Sequence, residues 1–433
     1  MHIFFSGIGG TGIGPLALIA KQAGFDVSGS DKQDSGYINY LRHHGLHNIS
    51  IGQSRESIAK VHKQHPIDWY IYSSAVAIEH PDAPEFAFCR EQDITMGTRD
   101  NCLNYILQEK RLHLIAIAGT HGKTTTTAMT IWLLKQLGIP VSYSVGAKIS
   151  FGDMGHYEPG SQYFVYEADE FDRNFLSFNP RLTMIAGIDW DHHDIYPTRE
   201  SYHEAFREFL GQSEQAVVWR DDAERLGLAA APNRLVLDKT AVDFDGILTL
   251  PGLVNRQNAV LVANGIATLT GQASEGLLGH LDAFPGVSRR FEPIIPDLYT
   301  DYAHTPPKIR GALQLAHEVA GDNVVVVYEG LHNTRQHFIK EELAHLFDSV
   351  KHLYIVPSYL AREDRQLALL SPKDLTKLLS PETRRKTEPA ELGQTLEASI
   401  RRHLEKRDLV LCLSAGGGHS LDEWLRQTFG THY

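Results

Sequence analysis

Ala118-Gly119-Thr120-His121-Gly122-Lys123-Thr124-Thr125 stands between the apolar run LHLIAIAG, which starts at Leu112, and a helical pattern from Thr124 to about Leu137. Strand, glycine turn and helix in that order make a phosphate site. The glycines let backbone N–H groups approach the oxygens, and the helix start adds its positive end. Lys123 offers a mobile point charge, and the Thr124 hydroxyl can ligate magnesium. A standard phosphate loop has four residues between its first glycine and the Gly-Lys pair. Here only two separate Gly119 from Gly122. A nucleoside-triphosphate site built from Gly119, Thr120, His121, Gly122, Lys123, Thr124 and Thr125 is expected. The alternative is a glycine turn with an exposed lysine.

Magnesium needs hard oxygen ligands near those phosphates. Glu167-Ala168-Asp169-Glu170 ends the apolar run YFVYEAD, where a neighbouring parallel strand would present it to the loop, and Glu167 leads. Asp189-Trp190-Asp191-His192-His193-Asp194 ends another apolar run, so His192 is a second candidate in the same crevice. Taken alone, such an acidic cluster is often a solvated turn, and a histidine is more often hydrogen-bonded than metal-bound.

A second glycine cluster, Gly7-x-Gly9-x-x-Gly12, follows the apolar run Ile3 to Ser6 and opens the helical stretch PLALIAKQAG, closed by Gly24. Asp31 ends the next strand, FDVSGSD. A pyrophosphate in the turn and a ribose hydroxyl on the acid would make NAD the first guess, although any diphosphate nucleotide suits that geometry. A glycine turn without ligand is the structural alternative.

The strand-turn-helix pattern restarts at Leu112 and again after Ser288-Arg289-Arg290-Phe291. In between come QYFVYEAD, RLTMIAGID, QAVVWR and a turn followed by a helix in LPGLVNRQNAVLVANGIATL. LYTDYAH, NVVVVYEG, HLYIVPS and DLVLCLSAGGG follow. The expectation is an α/β chain of three domains: Rossmann-like over 1–109, P-loop ATPase-like over 110–287, and Rossmann-like α/β again over 288–433. The stretch KLLSPETRRKTEPAEL reads as a polar connection only.

A length of 433 residues agrees, since about 150 residues make one domain. With 41 Lys and Arg against 53 Asp and Glu, the net charge of −12 opposes general attraction to nucleic acid or anionic membranes, so any polyanion must sit in a local site. Cys89, Cys102 and Cys412 are scattered, which argues against a disulfide framework or thiolate zinc site and fits a reducing cytoplasm. The first residues lack a secretory pattern, and no run of about 18 apolar residues occurs. A cytoplasmic protein, monomeric or weakly dimeric, is expected.

Together the first glycine turn, the Gly-Thr-His-Gly-Lys-Thr-Thr loop, Glu-Ala-Asp-Glu and a later Asp-Tyr-Ala-His resemble the Mur ligase family over all three domains. Gly7-Ile8-Gly9-Gly10-Thr11-Gly12, Ser28-Gly29-Ser30-Asp31, Ser73-Ser74-Ala75 and AGTHGKTTTTAM look most like members that join L-alanine to UDP-N-acetylmuramate. Members that attach a recycled tripeptide come next. The resemblance implies an ATP- and Mg2+-dependent ligase that works through an acyl phosphate in cytoplasmic peptidoglycan precursor synthesis. By motif, Gly9, Gly10, Thr11 and Gly12 would face the UDP pyrophosphate, and Ser30, Asp31 and Ser74 the nucleotide end. Lys123 would hold the ATP phosphates, Thr124 and Glu167 one magnesium, and Glu167 with His192 a second. Asn255 would read adenine, and Arg290 and Asp301 would meet the nucleotide. Tyr302, His304 and Arg335 would meet the amine substrate.

Departures concentrate at that third substrate. Alanine ligases usually carry His-Arg-Tyr-Thr-Arg where this chain has Leu331-His332-Asn333-Thr334-Arg335, so one arginine of a carboxylate clamp is replaced. Glu329, Asn333-Thr334 and Ser414-Ala415-Gly416-Gly417-Gly418 lean toward the tripeptide enzymes. The reading from another class is an NAD-linked dehydrogenase or sensor built on the first glycine cluster. A non-catalytic scaffold is a third.

Overall fold

The structure, a computed structural model, describes residues 1–73, 76, 82–191, 195–228, 231–360, 363–364 and 366–430. The expected Ser74 and His192 lie outside the described residues. By packing, the chain divides into two compact units, Met1–Val242 with Asn258–Phe284, and Asp243–Gln257 with Pro285–Tyr433. The first unit holds two sheets and the second holds one.

The first sheet contains β1 (His2–Ser6), β2 (Asp26–Asp31), β3 (Ile49–Ile51), β4 (Trp69–Tyr72) and β5 (Thr95–Thr98), in the order β3-β2-β1-β4-β5. All its pairings are parallel. Every residue of β1 is buried, as befits a strand covered on both faces. From β1 the chain runs outward to β2 and β3 and then returns to β4 on the other side. The turn after β1 therefore sits at a topological switch point, where open α/β sheets bind ligands. The helix Ile13–Gln22 follows that turn with eight residues buried against the sheet, and Gly24, at φ +91°, lets the chain turn back.

The second sheet contains β6 (His113–Ala118), β7 (Val141–Ser144), β8 (Gly155–His156), β9 (Tyr163–Glu167), β10 (Leu182–Ile185), β11 (Gln215–Trp219) and β12 (Arg234–Leu237). Its order is β12-β11-β10-β6-β9-β7-β8, parallel except for β7 with β8. Helix Lys123–Gln136 leaves the loop after β6. Its run of four threonines, Thr124 to Thr127, has poor intrinsic helix propensity, yet all four are buried, so tertiary packing overrides the local preference.

The third sheet contains β13 (Glu292–Ile295), β14 (Leu298–Asp301), β15 (Val324–Leu331), β16 (His352–Tyr359), β17 (Thr387–Pro389) and β18 (Leu409–Leu413). Its order is β13-β14-β18-β15-β16-β17, with only β13 antiparallel. The three-domain α/β architecture expected from sequence is present. One expectation is corrected: KLLSPETRRKTEPAEL is more than a polar connection, because it holds the short helix Pro381–Arg385 and β17, which pairs with β16. Among the described residues, no helix is long and apolar enough to cross a membrane.

Candidate active site

The loop between β6 and Lys123 is fixed from below. The Thr120 amide donates to Gly187 O at 2.8 Å, and the Thr120 hydroxyl donates to Asp189 O at 2.6 Å, accepts from the Asp189 amide at 2.8 Å and lies 2.7 Å from the Tyr202 hydroxyl. Gly122 adopts φ +79°, left-handed backbone that glycine takes without strain, and from it the chain enters the helix. Thr125 is buried in the first helical turn. The His121 ring lies over Gly187, where a Cβ would come within 2.2 Å of it.

Lys123 reaches back across this loop. Its Nζ donates to Gly119 O at 2.7 Å and pairs with Glu170 Oε2 at 2.5 Å. Burial would push this ammonium down, but the carboxylates of Glu170, Asp169 and Glu167 outweigh it and hold Lys123 above its ordinary value. Glu170 is anchored in turn: its carbonyl accepts from the Tyr196 hydroxyl at 2.6 Å and its Oε1 from the Tyr202 hydroxyl at 3.3 Å.

Glu167 ends β9 beside Ile117 of β6, so the parallel pairing brings it to the loop as expected. Its Oε1 accepts from the Thr124 hydroxyl at 2.9 Å and its Oε2 from the Gly146 amide at 2.8 Å. A hydroxyl and a carboxylate together beside a phosphate loop are the hard donors that magnesium takes, its other positions being filled by phosphates and water. Among the described residues no group of three or more His, Cys, Asp or Glu is arranged to hold a metal. Thr124 and Glu167 are two donors of that kind in direct contact.

At the first sheet, Gly9 and Gly10 lie in the turn after β1, and Asp31 Oδ2 accepts from the Gly9 amide at 2.8 Å. Asp31 thus braces the turn from the end of β2. Ser30, next to it, is fully buried. Thr11 and Gly12 line one pocket with Lys123, Glu167 and Asp169. The first unit thereby brings the two glycine clusters of the sequence to one cavity.

In the second unit, Asp301 ends β14 and accepts from the amides of Phe291 and Ala303, both at 2.8 Å. Burial pushes its carboxyl above the usual range despite Arg290 and these amides. The Arg289 and Arg290 guanidiniums lie 4.7 and 4.9 Å from the centre of the Tyr302 ring, and His304 Nδ1 is 2.8 Å from Tyr302 O. Arg290, Asp301, Tyr302 and His304 are therefore one cluster. Arg335 stands in the first turn of helix Asn333–Leu346, after His332 at φ +56°. Asn255, whose Nδ2 donates to Pro251 O at 2.9 Å, packs with this second unit.

Sequence reading did not single out Glu170, Tyr202 or Arg289. Arg289 Nη2 donates to Ser414 O and Gly416 O at 3.0 and 2.9 Å, tying the segment before β13 to the glycine-rich turn after β18. Glu170 stood in Glu-Ala-Asp-Glu, but nothing local marked it as the partner of Lys123. A carboxylate three residues past a strand end is in reach of the lysine of a neighbouring loop.

Two family descriptions match the sequence of this chain. Residues 2–111 match the Mur ligase family catalytic domain, and residues 117–238 the Mur ligase middle domain. A UDP-N-acetylmuramate–L-alanine ligase of Agathobacter rectalis is 30% identical over 415 residues, 88% of each chain. The chain belongs to the Mur ligase family. A ligase of the same description from a Nocardioides species is 32% identical over 378 residues, covering 84% of this chain and 82% of the relative. Among solved structures, the UDP-N-acetylmuramate-alanine ligase of Thermotoga maritima superposes with a TM-score of 0.75 at 24% identity, over 99% of this chain and 98% of the other. A murein peptide ligase from Psychrobacter arcticus gives 0.60 at 21%, over 100% and 99%. At those identities the two structures speak for the fold.

Proposed function

We propose that this chain joins L-alanine to UDP-N-acetylmuramate with hydrolysis of ATP to ADP and phosphate, in the synthesis of peptidoglycan precursors. The observation that carries the reading is the shared cavity of the first unit, where a diphosphate turn (Thr11, Gly12) opens on a triphosphate loop (Lys123) and the oxygen donors Thr124 and Glu167. Relatives of this description, aligned with this chain over 88% and 82% of their own lengths, support it.

A carboxylate is a poor acyl donor. In the proposed reaction one oxygen of the sugar-borne carboxylate attacks the γ-phosphorus of ATP, the bond to the β,γ-bridging oxygen breaks, and ADP leaves with the electron pair. The neutral amine of L-alanine then attacks the acyl carbon, inorganic phosphate leaves, and the amine's proton passes to solvent. Lys123 would stay charged throughout and meet the charge that spreads over the transferring phosphoryl group. Magnesium held by Thr124 and Glu167 would neutralise further phosphate charge. The second unit's residues keep the proposed roles of the resemblance: Arg290, Asp301 and Asn255 toward the nucleotide, and Tyr302, His304 and Arg335 toward the amine.

The test is phosphate release with ATP, UDP-N-acetylmuramate and single amino acids, beside the tripeptide L-alanyl-γ-D-glutamyl-meso-diaminopimelate. Turnover with L-alanine is expected. Turnover with the tripeptide alone would move the chain to the recycling ligases, a second reading toward which Glu329, Asn333-Thr334 and Ser414-Ala415-Gly416-Gly417-Gly418 lean. NADH binding without ATP turnover would overturn both.

A further inference from the structure

Arg99 follows β5 and is the first residue of helix Arg99–Glu109. The turn before it is set by Asn101, whose Oδ1 accepts from the Thr98 amide at 3.0 Å and from the Thr98 hydroxyl at 2.9 Å. A cation in a first helical turn meets the positive end of the macrodipole, so local helix stability gives no reason for an arginine there. What lies around it does. A Cβ on Gly12 would come within 2.8 Å of Arg99 Nη1, so the side chain rests against the diphosphate turn and depends on the glycine for its place. Arg99 also lines the cavity shared by Thr11, Lys123, Glu167 and Asp169.

The nearby carboxylates are engaged elsewhere. Glu167 accepts from Thr124 and Gly146, Asp100 from the Ser177 hydroxyl at 2.8 Å, and Asp169 from the Phe171 amide at 3.3 Å. Asp169, Asp100 and Glu167 act on Arg99 through their fields, but no hydrogen bond or ion pair joins Arg99 to another described residue. A guanidinium carries five N–H donors in a planar fork, cannot lose its charge in a protein, and matches a two-oxygen anion. Half-buried, it is held charged by the field of these acids, yet its planar fork has no two-oxygen partner among the described residues.

We propose that Arg99 grips the carboxylate of the UDP-linked sugar acid and turns one of its oxygens toward the terminal phosphate at Lys123, an assignment that rests on the ligase reading above. The diphosphate turn and the triphosphate loop hold opposite ends of the two substrates, and the cavity between them is where the reacting carboxylate must lie. Arg99 gives up no proton. The carboxylate oxygen supplies the electron pair for the new P–O bond, ADP departs with the pair of the broken one, and the guanidinium stays paired to the acyl oxygen while charge moves off the carboxylate. Bidentate gripping also selects for the acid form of the sugar, since a UDP-sugar without the carboxylate leaves the fork unfilled.

The experiment uses full-length Arg99→Gln and Arg99→Lys with three ligands: UDP-N-acetylmuramate, UDP-N-acetylglucosamine and UDP. The last two lack the carboxylate. Arg99→Gln is expected to bind UDP-N-acetylmuramate about ten- to hundredfold more weakly than the parent chain, with no change toward the other two. Single-turnover ADP formation at saturating sugar nucleotide, without amine, is expected to fall about tenfold or more in Arg99→Lys, which keeps the charge but loses the fork. Equal weakening toward all three ligands, with single-turnover ADP formation unchanged at saturation, would place Arg99 on the diphosphate and overturn the proposal. Unchanged binding and turnover would overturn it too. Where Arg99→Gln fails to fold by thermal unfolding, Arg99→Lys gives the same comparison. A parent chain without ATP turnover on any amine would sink the ligase reading itself, an outcome separate from the contrast between ligands.

Discussion

Lys123 and Glu170 form a buried ion pair, Nζ to Oε2 at 2.5 Å, with side chains 14% and 1% exposed. The carboxylate stands beside the lysine that is proposed to receive a triphosphate, and two tyrosine hydroxyls hold the glutamate in place. The ammonium is thereby kept charged and oriented before nucleotide arrives.

Lys123→Ala should lower ATP-dependent phosphate release by about 10²–10³-fold or more. It should also destabilise the fold by about 3 kcal/mol, because Glu170 is left buried without its counter-charge. Lys123→Ala combined with Glu170→Gln should recover most of the thermal stability and none of the turnover. Calorimetry beside a phosphate assay checks this, and a double variant as unstable as the single one would contradict it.

Gly12→Ala should fold, because the atom in the way is the mobile end of Arg99 rather than backbone. It should weaken UDP-N-acetylmuramate binding as Arg99→Gln does, since the guanidinium must leave its seat. Titration of the two variants side by side decides it. Normal affinity in Gly12→Ala would show that the contact is incidental.

Glu85 is fully buried, with Oε2 accepting from the Ser6 hydroxyl at 2.7 Å and the Tyr70 hydroxyl at 2.9 Å. Burial pushes its carboxyl above the ordinary range in spite of these donors. A raised acid holds its proton in the folded chain at a pH where the unfolded chain has released it. Stability therefore falls as pH rises from the unfolded carboxylate value through the folded one, by up to about 1.4 kcal/mol per pH unit within that window. Glu85→Gln should flatten this part of the profile and raise the melting temperature at pH 8. A steeper decline in the variant would refute it.

Glu318 should behave in the opposite sense. Arg256 Nη1 donates to its Oε1 at 2.7 Å, and with Gln314 and the Gly252 amide it holds the carboxyl down at about 2. The stabilisation is present above the unfolded value and is lost as pH falls from about 4.5 toward 2. Glu318→Gln should cost about 2 kcal/mol at pH 7 and nothing at the acid limit, measured by urea unfolding at several pH values.

The phosphate loop, Glu167 and the first glycine turn were legible because each follows an apolar strand, and a parallel sheet collects its strand ends on one edge. The strands that escaped reading are mostly at sheet edges: Ile49–Ile51, Thr95–Thr98, Arg234–Leu237 and Thr387–Pro389. An edge strand buries less and needs no apolar run. Arg99 and Glu170 stayed hidden for a different reason. Each gains its meaning from a partner far along the chain, Gly12 for one and Lys123 for the other. Asn255 lies where a single helix, Leu253–Thr270, contributes residues to both packing units, which no local pattern announces.

The tyrosine that braces Glu170 has a further neighbour. Trp190 Nε1 donates to Tyr196 O at 3.0 Å, and the Tyr196 hydroxyl donates to Glu170 O at 2.6 Å. An indole therefore stands two hydrogen bonds, by way of Tyr196, from the main-chain carbonyl of the glutamate whose lysine a bound triphosphate would draw away. Emission from Trp190 is the expected optical gauge of nucleotide occupancy, available without any added label, and Trp190→Phe should silence it.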